Sequence, residues 1–359
     1  SSSSSGPSTS GGRAVKGPLK DAIVFADYDG DGQWGADEPK TTTDASGNYS
    51  LTTTQDAVFV VQTTASTIDT STRNLTGPDI TLKAPSGASV ISPATTLVAN
   101  GASAAQVKAA LGLSDSIDLN TFDPFAAGVD AALALQYEKA AVQVFATVKA
   151  IAAAAEAAGA TQAEAQSAAF TALTGSVSSA SGSLDLTDSN VIDTVVTEVR
   201  TSLSGSLNLS AYDAQSTAVS ASISNVNDAV SQLNDLTSTA TLQTITVATE
   251  VLSQQITDAV DGTTGSISLA TESNVSSTVS NGNLAPSDLS LGSTAILENA
   301  TSLNVGTVSV TDSNSGDTHT FTLSGTDATS FTISNFGVLS LKSQPDYETK
   351  NSYSIDITA

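Results

Sequence analysis

The stretch "AIVFADYDGDGQWGADEPKTTTDASGNYSL" (residues 22–51) holds three signals in succession. It opens on "AIVFA" (22–26), a β-branched and aromatic run that reads as a buried strand. It closes on "DASGNY" (44–49), a tight-turn signal leading into the alternating strand "NYSLTT" (48–53). Between them, "DYDGDGQWGADE" (27–38) matches the twelve-position calcium loop. Asp27, Asp29 and Asp31 take positions one, three and five, Gly32 the sharp turn at six, and Glu38 the bidentate position twelve. Gln33 at seven offers its backbone carbonyl. Gly35 at nine has no side chain and leaves that vertex to a water. Three aspartates this close repel one another unless a cation sits between them. The alternative reading is a solvated acidic loop. A strand precedes the loop and Glu-Pro-Lys follows it, so no helix pair is present to be opened. A cation here stiffens a β-module.

Working outward, the expected fold is multidomain, α and β. Residues 1–14 begin "SSSSSGPSTSGG" and read as a flexible Ser/Gly linker. Residues 15–84 read as a β-sandwich module carrying the calcium loop, with further strands "AVFVVQ" (57–62) and "DITLK" (79–83). Residues 85–282 read as an Ala/Ser/Thr-rich helical bundle. Leu133, Tyr137, Val144, Val148 and Ile151 keep helical three-four spacing. So do Ile192, Val195, Val196, Val199 and Leu203; Val219, Ile223, Val226, Val230 and Leu233; and Leu242, Ile245, Leu252, Ile256 and Ala259. "TQAE" (161–164) is a capping box. Ser, Thr, Asn and Gln fill what read as outer faces. Such mediocre helix formers require the helices to support one another. Residues 283–359 return to period-two strands, "LNVGTVSV" (303–310), "HTFTL" (319–323), "SFTIS" (330–334), "GVLSLK" (337–342) and "YSIDIT" (353–358), the rhythm of a small β-sandwich.

The 359 residues carry 36 acidic against 12 basic side chains, a net charge of −24. That surface repels nucleic acid and anionic lipid and attracts cations. There is no cysteine, which excludes disulfides, thiol catalysis and thiolate metal sites, and no methionine. Lacking both oxidation-prone side chains suits an extracellular setting. No uninterrupted apolar run reaches the ~18 residues of a membrane span, so no transmembrane segment is expected. No basic-then-apolar leader is evident, as in a mature or cut chain. Nothing selects catalytic residues. The sole histidine, His319, sits at a strand start, no Gly-x-Ser-x-Gly elbow is apparent, and the aspartates of "GDGQWG" would repel a phosphate. Trp34 reads as a packing or exposed loop residue.

"VKGPLKDAIVFADYDGDGQWGADEPKTTTDASGNYSL" (15–51) resembles the first module of large bacterial surface proteins of the adhesin type. "GASVISPATTLVANGASAAQVKAALGLSDSIDLNTFDPFA" (87–126), with its "ISPxTTLV" entry, is similar to the segment that follows in them. Residues 283–359 resemble the bacterial cadherin-like repeat. In such repeats calcium sits at module junctions, which implies junction ligands at Glu298 in "LENA", at Asp346 and Glu348 in "DYE", and at Asn283 before "LAP". The linker "NGNLAP" lacks the family's aspartates.

The resulting expectation is a secreted, calcium-stabilised structural protein of a bacterial cell surface. It would assemble head to tail as a filament or surface-layer subunit, or serve as an adhesin stalk. The alternatives are a monomeric adhesive module that binds a surface glycan or another cell, and an extracellular hydrolase.

Overall fold

The computed structural model describes residues 7–76, 80–203, 207–236, 239–263, 266–270, 288–311 and 319–358. It has N-terminal β-sheets, a central seven-helix region and C-terminal antiparallel sheets. The chain divides into two compact units, Ser1–Gly282 and Asn283–Ala359.

The first unit begins with strands β1 (Ser8–Ala14), β2 (Leu19–Lys20), β3 (Ile23–Asp27), β4 (Lys40–Thr42), β5 (Asn48–Thr53), β6 (Val58–Gln62), β7 (Ile68–Asp69), β8 (Asn74–Leu75), β9 (Thr81–Ala84) and β10 (Val90–Ile91). They form three sheets, ordered β4-β3-β6-β9, β10-β1-β5 and β2-β7-β8. β5 alternates as its sequence requires: Tyr49, Leu51 and Thr53 are buried, while Asn48, Ser50 and Thr52 face water. β3 and β6 are central and almost continuously buried, and the Phe59 ring meets Tyr49 edge-on at 6.1 Å.

One expectation is corrected at once. Ser8–Ala14, expected within a flexible linker over 1–14, is strand β1. It pairs antiparallel with β5 along Ser8–Arg13 and parallel with β10 at Arg13 and Ala14. Its seven residues hold almost no apolar side chain, so backbone pairing makes the strand, and composition could not reveal it.

Helices α1 (Pro93–Ala99), α2 (Ala104–Ala110), α3 (Ala131–Ala157), α4 (Gln162–Ser179), α5 (Ser189–Ser202), α6 (Leu209–Ser231) and α7 (Thr239–Val260) follow. Capping boxes start α1 (Ser92 and Thr95), α2 (Ser103 and Gln106) and α4 (Thr161 and Glu164). α3 packs against α4, α6 and α7, and the four apolar stripes are buried or packed against the core.

The β-sheets and the helices share one hydrophobic core running from Ala14 to Leu269. Polar links brace the unit. The Ser92 and Tyr137 hydroxyls lie 2.6 Å apart, the Thr81 N–H donates to Gln166 Oε1 at 2.8 Å, and Arg13 pairs with Asp123 at 2.7 Å. Residues 15–84 are therefore one layer of a larger unit, and the expected border with 85–282 does not separate two bodies.

α3 is 27 residues long, and its most apolar window, of mean hydropathy 1.4, meets the length and composition of a membrane span. Alanine supplies that apolarity in place of an unbroken run of large residues. In this structure 61% of the window is buried among the other elements, as in a core helix.

α6 departs from the expected polar outer face. It packs against α3, α5 and α7, and it buries Ser220, Ser222, Ser224 and Asn227. The hydroxyls of Ser220 and Ser222 donate to carbonyls one turn back, at 2.9 and 2.6 Å. Asn227 Nδ2 donates to Thr147 Oγ1 and to the Leu186 carbonyl, both at 2.9 Å.

The second unit comprises β11 (Asp288–Leu291), β12 (Asn304–Thr311), β13 (Thr322–Ser324), β14 (Phe331–Ile333), β15 (Val338–Leu341) and β16 (Asp356–Thr358). Four of them form an antiparallel sheet ordered β11-β12-β15-β14, and β13 pairs with β16. Phe331, Leu339 and Leu341 make its core, with the Tyr353 ring edge-on to Phe331 at 5.4 Å.

Candidate metal centre

The loop between β3 and β4 gathers three carboxylates. Asp27 ends β3 and is buried, Glu38 is buried just before β4, and Asp29 is exposed between them. One oxygen from each lies within 4.8 Å of the others. Two oxygens bound to one calcium at about 2.4 Å stand at most about 4.8 Å apart, so the spacing suits a cation of that size. An all-carboxylate set is hard-cation chemistry, of the calcium, magnesium or manganese kind.

Backbone amides aim the two buried carboxylates. Asp27 accepts from the N–H of Gly30 at 2.7 Å and of Gly32 at 2.9 Å. Glu38 accepts from the N–H of Tyr28 at 2.6 Å and of Gly35 at 2.8 Å. Each carboxylate oxygen has a second lone pair, so these bonds leave capacity for a cation. The turn needs glycine at position six. Gly32 has φ +76°, and a Cβ there would come 3.0 Å from the Lys83 ammonium. The loop's second half is pinned by Trp34, whose Nε1 donates to the Glu38 carbonyl at 3.0 Å and whose ring lies 3.3 Å beneath the Lys40 ammonium. The Ala26 N–H donates to the Pro39 carbonyl at 3.1 Å and closes the loop's base.

Of the expected loop carboxylates, Asp31 is not part of this cluster. Asp31 is exposed, and its Oδ1 accepts the Gln33 N–H at 2.7 Å. This Asx-type bond turns the short side chain back on its own backbone. Gln33, whose expected contribution is its backbone carbonyl, is exposed.

The implied junction ligands do not converge in this way. Glu298, Asp346 and Glu348 are all exposed. Glu298 accepts the Tyr347 N–H at 3.2 Å, which brings it beside the "DYE" turn. Asp346 accepts from the Thr349 amide at 3.1 Å and hydroxyl at 2.8 Å. Those bonds hold the Asp346 carboxyl below its usual range, the side-chain bond from Thr349 most of all. Among the described residues, only Asp27, Asp29 and Glu38 form a cluster of three or more such side chains at metal-binding spacing. Asn283 lies outside the described residues.

One unusual carboxyl escaped the sequence reading. Glu138 on α3 is 8% exposed and lines a cleft of about 760 Å³ together with Arg13, Arg73, Phe125 and Asp235. Burial, then the charges of Asp69, Asp123 and Asp235, push its carboxyl up to about 8.

Compared with protein-family models, with curated proteins and with solved structures, the chain matches none.

Proposed function

We propose that this chain is a calcium-stabilised structural protein of a bacterial surface that assembles with copies of itself. The observation that carries this reading is the Asp27–Asp29–Glu38 cluster at a sheet turn whose strands share a core with the helices. A cation there ties β3 to β4, and through them the whole first unit. Strands flank the loop on both sides, so the metal's effect is stiffness and not switching. The net charge of −24 favours cation uptake and keeps separate copies apart until counter-ions screen them. The bacterial-surface setting rests on the resemblance of residues 15–51, 87–126 and 283–359.

Thermal unfolding with chelator, calcium or magnesium tests the metal. Calcium bound only by the native state adds about 2.7 kcal/mol at a hundredfold excess over its dissociation constant. The melting temperature should rise with calcium and much less with magnesium, whose bonds of about 2.1 Å need a tighter cage. Asp27→Asn with Asp29→Asn should abolish the rise. Equal melting in chelator and calcium refutes the metal. Sedimentation and electron microscopy with calcium test assembly: a single monomer peak at high concentration would leave a monomeric binding module.

A further inference from the structure

Strand β1 combines full backbone pairing with almost no side-chain anchorage. Its sequence is STSGGRA, and of these residues only Ala14 is both apolar and buried. Along Ser8–Arg13 it is held by the β5 ladder, and β10 adds pairs at Arg13 and Ala14 alone. The groove it fills is nonetheless shaped for it. Gly12 passes directly over Tyr49: a Cβ there would stand 2.7 Å from the Tyr49 hydroxyl and 2.6 Å from the Ser89 carbonyl oxygen. Tyr49 is 5% exposed beneath this passage, so the residue that crosses it must be glycine, while the Tyr49 hydroxyl, buried without a hydrogen-bond partner, adds no polar bond that holds β1 in place. Arg13 then fixes the register, donating to Asp123 at 2.7 Å and to the Ser46 carbonyl at 2.6 Å.

We propose that β1 is an exchangeable strand: Ser8–Ala14 of one copy occupies the β5–β10 groove of a second copy, head to tail. The inference rests on the assembly reading above and supplies its contact. The occupant's fit needs no new surface, because the same segment already satisfies the same groove within one chain. Every backbone bond, the Gly12 passage over Tyr49 and the Arg13–Asp123 pair are reproduced between copies, and this equivalence makes exchange of an identical element a low-cost route to association. Few apolar contacts oppose its departure. The link Val15–Pro18 becomes the hinge, and the seven residues of β1 reach about 23 Å at about 3.3 Å each. A one-way exchange leaves each copy with one strand given and one groove filled, so the contact propagates.

The chain has no cysteine, which allows an unambiguous test. Thr9 and Thr52 are exposed, face each other across β1 and β5, and have hydroxyls 2.8 Å apart. In Thr9→Cys with Thr52→Cys, oxidation after assembly in calcium should give a disulfide ladder beyond the dimer on a non-reducing gel. Oxidation of the dilute monomer should staple β1 at home and abolish later assembly. As a second measurement, a tagged Thr9→Cys chain mixed with an untagged Thr52→Cys chain should yield the mixed disulfide, which neither chain can form internally. Polymers whose disulfides are all intrachain overturn the exchange and leave the assembly reading standing. A disulfide dimer with nothing larger overturns the head-to-tail form. A chain that stays monomeric in both redox states overturns both.

Discussion

Replacing Glu138 by glutamine should stabilise the protein, and only above the pH at which an ordinary carboxyl ionises. Glu138 sits in α3 at 8% exposure, and burial followed by the charges of Asp69, Asp123 and Asp235 moves its carboxyl from 4.5 to about 8. The unfolded chain surrenders this proton near pH 4.5, while the folded chain keeps it to about 8. Between those values the unfolded state binds fewer protons, so stability falls as pH rises. The gap is about 3.5 pH units at about 1.4 kcal/mol each, an upper bound of about 5 kcal/mol. Water entering the cleft lowers that, and about 2–4 kcal/mol is expected. The glutamine side chain keeps the shape and cannot ionise. Urea unfolding of the parent and Glu138→Gln from pH 4 to 8.5, in chelator throughout, isolates the effect as a difference. The variant should match the parent within about 0.5 kcal/mol near pH 4 and pull ahead steadily to pH 8. Carboxylates below their usual range, such as Asp213 beside Arg200, cancel in that difference. A flat difference curve, or a variant weaker than the parent at pH 8, would refute the reasoning.

Val199→Asp places an unpaired charge at a fully buried position of α5 and should cost about 3–5 kcal/mol, whereas Thr197→Asp on the exposed face should stay within about 0.5 kcal/mol; circular dichroism melts separate the two. Ser92→Ala removes both the α1 cap and the partner of the buried Tyr137 hydroxyl, 2.6 Å away, and should cost about 2–4 kcal/mol by urea unfolding; a loss under about 1 kcal/mol would mean that water replaces the serine.

What the sequence disclosed depends on whether a side chain's partners lie nearby along the chain. The alternation of β5, the Thr161–Glu164 cap and the helical stripes are local signals: the structure forms the cap, buries the inward residues of β5, and buries the stripe residues or packs them against the core. The calcium-loop spacing likewise finds Asp27, Asp29 and Glu38, because a tight loop brings those positions together whatever surrounds it. Asp31 is not part of that cluster, and its Oδ1 accepts the Gln33 amide. β1 was hidden for the opposite reason: its pairing partners, β5 and β10, lie far along the chain, and its own residues show no pattern.

Glu138 was legible in principle. Ala134, Glu138, Ala141 and Phe145 keep helical spacing, and all four are buried, so the carboxyl interrupts a second apolar line on α3. A helix with two inward lines is one that neighbours surround, and α3 packs against α4, α6 and α7. The same geometry explains Ser222. A single moment assumes a single buried face, but α6 meets α3, α5 and α7, so its serines point inward as readily as its valines. Small hydroxyls tolerate that position because each can donate its proton to a carbonyl of its own helix. In this chain, then, an abundance of Ser and Ala at helical spacing marks close packing on several sides, and the same residues read singly look like surface.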